Sequence, residues 1–328
     1  MEEQGEAAQP VPNPRPSSLR WRILRRALLR SRRSDEQLEA MMSKVSRKAK
    51  QGFNLIPCQL MDLAHHHDQV EVDSDSCSNS SISRGLSGAC FRYSLPAENS
   101  PHLLLFQRRD SCTNINDFEI CNKYDIDNTG LVCPWPSEEI LSYYCLLHAD
   151  MFRFKRIIEL GAGYGMAGLV IATVSEASEV VISDGNPQVF DYIQQSISAN
   201  SEAFGNTIVK PMLLHWNEEE SAKLSHMFDF VVASDCTFFK QFHKGLVRTV
   251  NFLLKGSAPS EAIFFSPKRG DSLDKFLEEI KGSGLHFSIS EKYDDRIWKR
   301  HQELSKGDES WPNYDADHCY PLLIKISR

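Results

Sequence analysis

From Arg156 onward the chain alternates apolar strand-like runs with helical segments, and this alternation limits the fold more than any other feature. "RIIEL", "EVVISD", "TIVKPMLLHW", "FDFVVASD" and "EAIFFSP" read as strands. Between them "GMAGLVIATVSE", "NPQVFDYIQQSISAN" and "KQFHKGLVRTVNFLL" have helical periodicity, and "DSLDKFLEEIKGSG" adds a helix with a glycine stop. Repeated strand–helix units imply a mostly parallel sheet covered on both faces. Two more strands, "LHFSISEKY" and "CYPLLIKIS", end the chain with only a polar excursion between them. They predict an antiparallel edge hairpin on an otherwise parallel α/β sheet.

The residues ahead of this region divide into further units. Residues 1–17, "MEEQGEAAQPVPNPRPS", are Pro-rich and polar and are expected to be a disordered tail. Residues 18–128 are expected to form a helical arm and β-hairpin extension, and residues 129–328 the main domain. In the arm, Trp21, Leu24, Leu28 and Leu29 recur at helical spacing, and Ser34 with Gln37 makes a capping-box pattern. A low-complexity stretch over about 73–88 predicts a flexible loop. "ACFRYSLPAENSPHLLLFQRR" predicts two hairpin strands, and "WPSEEILSYYCLLHAD" an amphipathic helix starting at Pro136.

Charge and cysteine usage narrow the setting. The net charge is -7 over 328 residues, yet residues 18–50 hold eleven Lys or Arg against three acids, so an acidic body carries a basic arm. The nine cysteines have no C-x-x-C pair and sit largely in apolar surroundings, which predicts reduced thiols and a cytoplasmic or nuclear location. Glu2, Glu3 and Glu6 occupy the place of a basic n-region, so no signal peptide is expected. The longest apolar run, "MAGLVIATV", is too short to span a bilayer. Neither membrane nor nucleic acid is expected as a partner, and the eleven histidines show no metal-binding spacing.

The stretch "IIELGAGYGMAGLVIA" carries the chemistry. Gly161, Ala162 and Gly163 follow a strand and precede a helix, which lets backbone approach a ligand and aims helix N–H groups at it. The next strand ends at Asp184, where an acid can accept hydrogen bonds from ribose hydroxyls. Loop and acid together predict an adenosine-bearing cofactor, and NAD and S-adenosyl-L-methionine both fit that geometry. Three features favour the methyl donor. Glu159 lies where a carboxylate can neutralise a cationic amino-acid end and would repel a pyrophosphate. Counted from Gly161, the first glycine after the strand, the glycines at 161, 163, 165 and 168 leave the G-x-G-x-x-G register, with Met166 in its last place, and a terminal antiparallel hairpin is unusual in dehydrogenase nucleotide domains.

"ELGAGYG", "ISDGN", "LLHW" and "VVASDCTFF", in this order, resemble the seven-strand class I S-adenosylmethionine-dependent methyltransferases, in their protein-lysine branch. "NTGLVCPWPSEEILSYYCLLH", "SPKRGDSL", "YDD" and "HCYPLLIKIS" narrow the resemblance to the calmodulin-directed members, from about Trp21 to the C-terminus. The glycine loop is general to the superfamily; the block around Trp135 is specific. The resemblance implies a Rossmann-like seven-stranded methyltransferase sheet, S-adenosyl-L-methionine as cofactor, calmodulin as protein substrate and a trimethyl-lysine product.

Carried onto this chain, the resemblance places Trp135 against the cofactor and Trp216 beside its adenine, with Ser234 also in the cofactor site. The alternatives are a core tryptophan at 135 and a hydrophobic strand cap at 216. Asp235 is expected to orient the acceptor amine, since an apolar strand runs straight into it at the ligand edge; a structural cap is the alternative. Phe238 stands where related lysine methyltransferases usually carry a tyrosine, a departure the calmodulin-directed branch shares. Phe238 and Phe239 would wall a dry acceptor channel that lowers the amine pKa and offer π-faces to a methylated cation. The competing functions are a non-catalytic module with a vestigial cofactor fold and an NAD-dependent dehydrogenase.

Overall fold

A computed structural model of the chain describes residues 52–61, 88–96, 101–108, 115–126, 129–132, 135–216, 222–256 and 260–328. The tail, the basic arm with its capping box, and the serine-rich stretch through residue 87 lie outside the described residues.

Three strands come first: β1 (Cys58–Met61), β2 (Gly88–Ser94) and β3 (His102–Arg108). They form an antiparallel sheet in the order β1-β2-β3, with Phe91 opposite Leu105 and Tyr93 opposite Leu103. The expected hairpin is present, and its alternating apolar residues turn one face inward. β1 was not expected; it has four residues and is partly exposed, too little for a sequence pattern. Helices α1 (Ile115–Tyr124), α2 (Thr129–Val132) and α3 (Pro136–Leu147) lead into the main sheet.

That sheet contains β4 (Arg156–Leu160), β5 (Glu179–Asp184), β6 (Ile208–Leu213), β7 (Phe230–Ser234), β8 (Glu261–Ser266), β9 (His286–Ser290) and β10 (Leu322–Ser327). Their order is β6-β5-β4-β7-β8-β10-β9. The five strands from β6 to β8 pair in parallel, and β10 runs antiparallel to both β8 and β9. Helices α4 (Met166–Val174), α5 (Pro187–Ala199), α6 (His243–Leu253), α7 (Ser272–Gly282) and α8 (Asp295–Ser305) connect the strands, and a short α9 (Ala316–Cys319) precedes β10. The central strands are near-continuous apolar runs, with Ile157, Ile158, Val231, Val232, Ile263 and Phe264 fully buried, because helices cover both faces.

The seven-stranded α/β sheet with its antiparallel terminal pair agrees with the sequence reading. One detail does not. The excursion between β9 and β10 contains α8, so the pair is not a simple hairpin, and the antiparallel strand β10 sits one place in from the edge. Only Ile297 and Leu304 of α8 are buried, one helical face among charged residues, and Asp294 caps it by accepting from Ile297 N–H at 2.8 Å. So thin an apolar stripe hides a helix from pattern reading.

The small sheet is fixed to the large one by side chains. Asn200 Oδ1 accepts from Leu104 N–H at 2.8 Å and Ser196 Oγ from Phe106 N–H at 2.9 Å. The open edge of β3 is thus satisfied by polar residues of α5 and its C-cap. At the far end of β3, Arg108 N–H donates to Tyr164 Oη in the loop after β4 at 3.2 Å.

Candidate functional site

Five parallel strands end on one side of the sheet, and the residues at or just beyond their carboxyl ends converge on a single cleft. Gly161 succeeds β4, Asp184 ends β5, Leu214 to Trp216 succeed β6, Ser234 ends β7, and Arg269 lies just beyond β8. The chain order reverses between β4 and β7, which is the switch point where open α/β sheets bind ligands. Tyr124 and Ile126 of the extension, with Leu131 and Trp135 just after it, close the opposite wall. The cleft encloses about 980 Å³ of empty space, its open mouth included.

The glycine loop is shaped by backbone that only glycine adopts cheaply. Gly161, Gly163 and Gly165 all have left-handed φ, at 55°, 55° and 80°. A Cβ on Gly161 would lie 2.7 Å from Cys236 Sγ and 3.0 Å from the Trp216 ring. Asp184 ties the loop down: one carboxylate oxygen accepts from Gly163 N–H at 2.9 Å, the other from Asn186 N–H at 2.8 Å. Pro187 then starts α5, with Asn186 capping it by accepting from Gln188 N–H.

These residues suit an adenosine-bearing group by their own chemistry. The loop is a cradle that a single Cβ would fill, and an acid stands at the end of β5. His215, stacked on Tyr124 at 5.5 Å between ring centres, lines the cleft and keeps Nδ1 buried with no hydrogen-bond partner among the described residues. A nucleoside offers polar atoms for such a nitrogen.

Glu159 is placed differently from the other predicted site residues. It is 1% exposed and lies behind the loop, where one carboxylate oxygen accepts from Gly168 N–H at 2.8 Å and the other is buried without a partner among the described residues. Burial pushes its carboxyl well above the usual range, the Gly168 bond opposes this, and Glu138 and Asp184 nearby add to it. A carboxyl raised in the folded state stays protonated while the unfolded chain ionises, so stability is lost as pH climbs above the unfolded value. Glu159→Gln should therefore gain in Tm over the parent as pH rises from 5 to 8, at a limiting slope of about 1.4 kcal/mol per pH unit. A Tm difference independent of pH would show Glu159 to be ionised in the fold.

The other end of the cleft is built around Asp235, at φ 59° just beyond β7. Its carboxylate makes a two-pronged ion pair with Arg269, one contact at 2.7 Å, and accepts from Ser137 Oγ at 3.2 Å. Ser137 is in the first turn of α3, so Trp135 just ahead of that helix stands beside the pair. The Phe238 and Phe239 rings meet edge-on at 4.5 Å between centres, and Phe238 is 40% exposed at the mouth. Behind them, Thr237 C=O accepts from Ser272 Oγ at 2.6 Å and bonds His243 Nε2 at 2.8 Å. Burial lowers the His243 pKa, so its ring is a neutral donor that fixes the loop.

Of the residues singled out in the sequence, Trp135, Gly161, Asp184, Trp216, Ser234, Asp235 and Phe238 share the cleft lining. Gly163 shapes the loop beside them, Ala162 donates its N–H to Ser183 C=O at 2.9 Å, and Glu159 stands behind. The sequence reading missed Arg269, His215 and Cys236. All three come after parallel strands on the carboxyl side, where open α/β sheets bind ligands. Tyr124 and Ile126 come from the extension and carry no comparable pattern.

Comparison with known proteins gives the geometry its relatives. A family model described as lysine methyltransferase matches residues 120–283. The chain is 58% identical over 311 residues to a calmodulin-lysine N-methyltransferase of Arabidopsis thaliana, covering 95% of this chain and 96% of that protein. It is 26% identical to the protein-lysine N-methyltransferase EEF2KMT of Mus musculus, over 48% of this chain and 51% of that one. Among solved structures, M. jannaschii TYW2 in complex with AdoMet superposes at a TM-score of 0.41 and 13% identity, over 75% of this chain and 89% of that chain.

Proposed function

The chain belongs to the lysine methyltransferase family, and from that premise we infer that it transfers methyl groups from S-adenosyl-L-methionine to a lysine side chain of calmodulin. One observation carries the substrate. The 58% identity to the calmodulin-lysine enzyme spans 95% of the chain, so it takes in the extension that walls the cleft as well as the sheet. The match to EEF2KMT, by contrast, is 26% and covers under half. Family membership also removes the dehydrogenase reading.

When bound, the donor supplies a methyl group already activated on a sulfonium. The protein then has to bind, align and exclude water, and proximity with desolvation provides most of the rate. The loop at Gly161 to Gly163 and the acid Asp184 support the ribose and the amino-acid end. Trp216, Trp135 and Ser234 support the remaining faces of the donor. Asp235 supports orientation of the acceptor amine by accepting its N–H. Phe238 and Phe239 support a dry passage in which the lysine is held neutral, the form that has a lone pair to give. His243 is committed to Thr237 C=O, and nothing in this scheme requires a histidine base.

Phe238 has no hydroxyl to fix a partly methylated amine, so successive transfers to trimethyl-lysine are expected. Phe238→Tyr should shift the product toward mono- and dimethyl-lysine, read by peptide mass spectrometry at equal turnover. An unchanged trimethyl fraction would show that the missing hydroxyl does not set the degree of methylation.

The substrate assignment is tested by comparing calmodulin isolated from cells with and without this protein. Loss of a methylated lysine from calmodulin in the deficient cells is the expected result. Calmodulin of identical mass from both would overturn the assignment.

A further inference from the structure

Arg269 takes part in nothing the proposed chemistry requires, yet it is held on several sides. Its side chain and that of Asp235 are each 4% exposed. Its guanidinium carbon lies 4.5 Å from the centre of the Trp135 ring and 5.0 Å from that of Phe238. Nε and Nη2 also reach His318 C=O at 3.4 and 3.3 Å, and its N–H donates to Asp317 C=O at 2.9 Å. Asp235 and Arg269 both have left-handed backbone, at φ 59° and 46°, which is unfavourable for residues with a Cβ. Two such residues meeting in a buried ion pair mark a place where geometry is imposed by its surroundings.

We propose that Arg269 is a positioning residue that neutralises Asp235, so that the carboxylate aligns the acceptor lysine without keeping it as an ammonium ion. The proposal rests on the reading that the acceptor enters beside Asp235. A lone buried carboxylate next to an amine stabilises the charged amine and raises its pKa. That opposes methyl transfer, which consumes the neutral form. A carboxylate already paired with a guanidinium keeps its hydrogen-bonding oxygens while the pair carries no net charge. The rings of Trp135 and Phe238 hold the guanidinium plane in register with those oxygens.

Other titratable groups face the same space. Tyr124, Asp125, Asp184, His215 and Cys236 line the cleft, and Cys319 lies close enough to feel both Arg269 and Asp235. Burial pushes both thiols up, so they stay uncharged, and Asp184 is bonded to backbone N–H groups. Loss of the Arg269 charge removes an influence that lowers the Cys319 thiol, so that thiol moves further up and stays uncharged in the variant.

The test is kcat against pH for methylation of calmodulin, with both substrates saturating. It compares the wild type, Arg269→Met, Arg269→Lys and the double variant Asp235→Asn/Arg269→Met. In Arg269→Met the acid limb should move up by about one pH unit or more. That lowers kcat roughly tenfold at pH 7.5, with the gap closing as pH rises, while cofactor affinity is retained. Arg269→Lys keeps the charge and should keep the wild-type limb. The double variant removes both charges, and its limb should return to the wild-type position even where its kcat is lower. A loss in Arg269→Met of equal size at every pH would mean the residue is only a strut, and the proposal fails. Should Arg269→Met not fold, the double variant decides, because a displaced limb there overturns the proposal. A wild type that does not methylate calmodulin at all overturns the proposed function and this inference together.

Discussion

Gly161→Ala is expected to abolish cofactor binding and to lower Tm by roughly 5–15 °C. The added Cβ falls 2.7 Å from Cys236 Sγ and 3.0 Å from the Trp216 ring, and both neighbours line the cleft. Cys236 cannot easily retreat, since its thiol is directed at Leu160 C=O and Ser234 C=O at 3.4 and 3.3 Å. Left-handed φ at an alanine costs about 1–2 kcal/mol and overpacking about 1–3 more. For a domain of this size each kcal/mol is worth about 2–4 °C. Gly205 provides the control. It has the same φ of 55° but open space where a Cβ would go, so Gly205→Ala should lose stability through strain alone and still bind the donor. Calorimetry showing wild-type affinity in Gly161→Ala would mean the loop is not the cradle.

Asp184→Ala should weaken S-adenosyl-L-methionine binding by at least about a hundredfold. The carboxylate does two jobs that alanine cannot. It accepts from Gly163 N–H and Asn186 N–H, fixing the glycine loop and the start of α5, and it stands at the β5 end in the place of a ribose acceptor. Hydrogen bonds to a charged group are worth about 1.5–3 kcal/mol each; losing the two that hold the loop loosens the cradle, and losing bonds to the ribose hydroxyls as well amounts to about two powers of ten or more in affinity. Asp184→Asn retains one acceptor and turns an amide N–H toward the other backbone donor, so it should fall between the two. Undiminished affinity in the alanine variant would remove Asp184 from the site.

The sheet was legible because its central strands are buried on both faces and read as unbroken apolar runs, with glycine, proline and Asn186 marking where each turn begins. The loop and its acid were legible because close backbone approach demands glycine at Gly161, which few other needs do. The features that escaped did so for physical reasons. β1 is short and half exposed, and α8 buries only Ile297 and Leu304. Glu159 looked like a charge for the cofactor, but strand position alone does not tell which way a side chain turns, and it turns into the protein to bond Gly168. Arg269 lies well over a hundred residues from Trp135 in sequence and meets it only through the fold. No local pattern announces such a contact, although the carboxyl-end rule would have placed Arg269 at the cleft.

Delivery of methyl groups from this cleft to a lysine of calmodulin is best tested by intact-mass spectrometry of unmethylated calmodulin incubated with the purified protein and S-adenosyl-L-methionine. Calmodulin should gain mass in whole methyl increments, mapped to a single lysine, and Asp184→Ala should produce none. Calmodulin of unchanged mass, with the donor bound to the wild-type protein, would refute methyl delivery and leave the cleft a binding module without turnover.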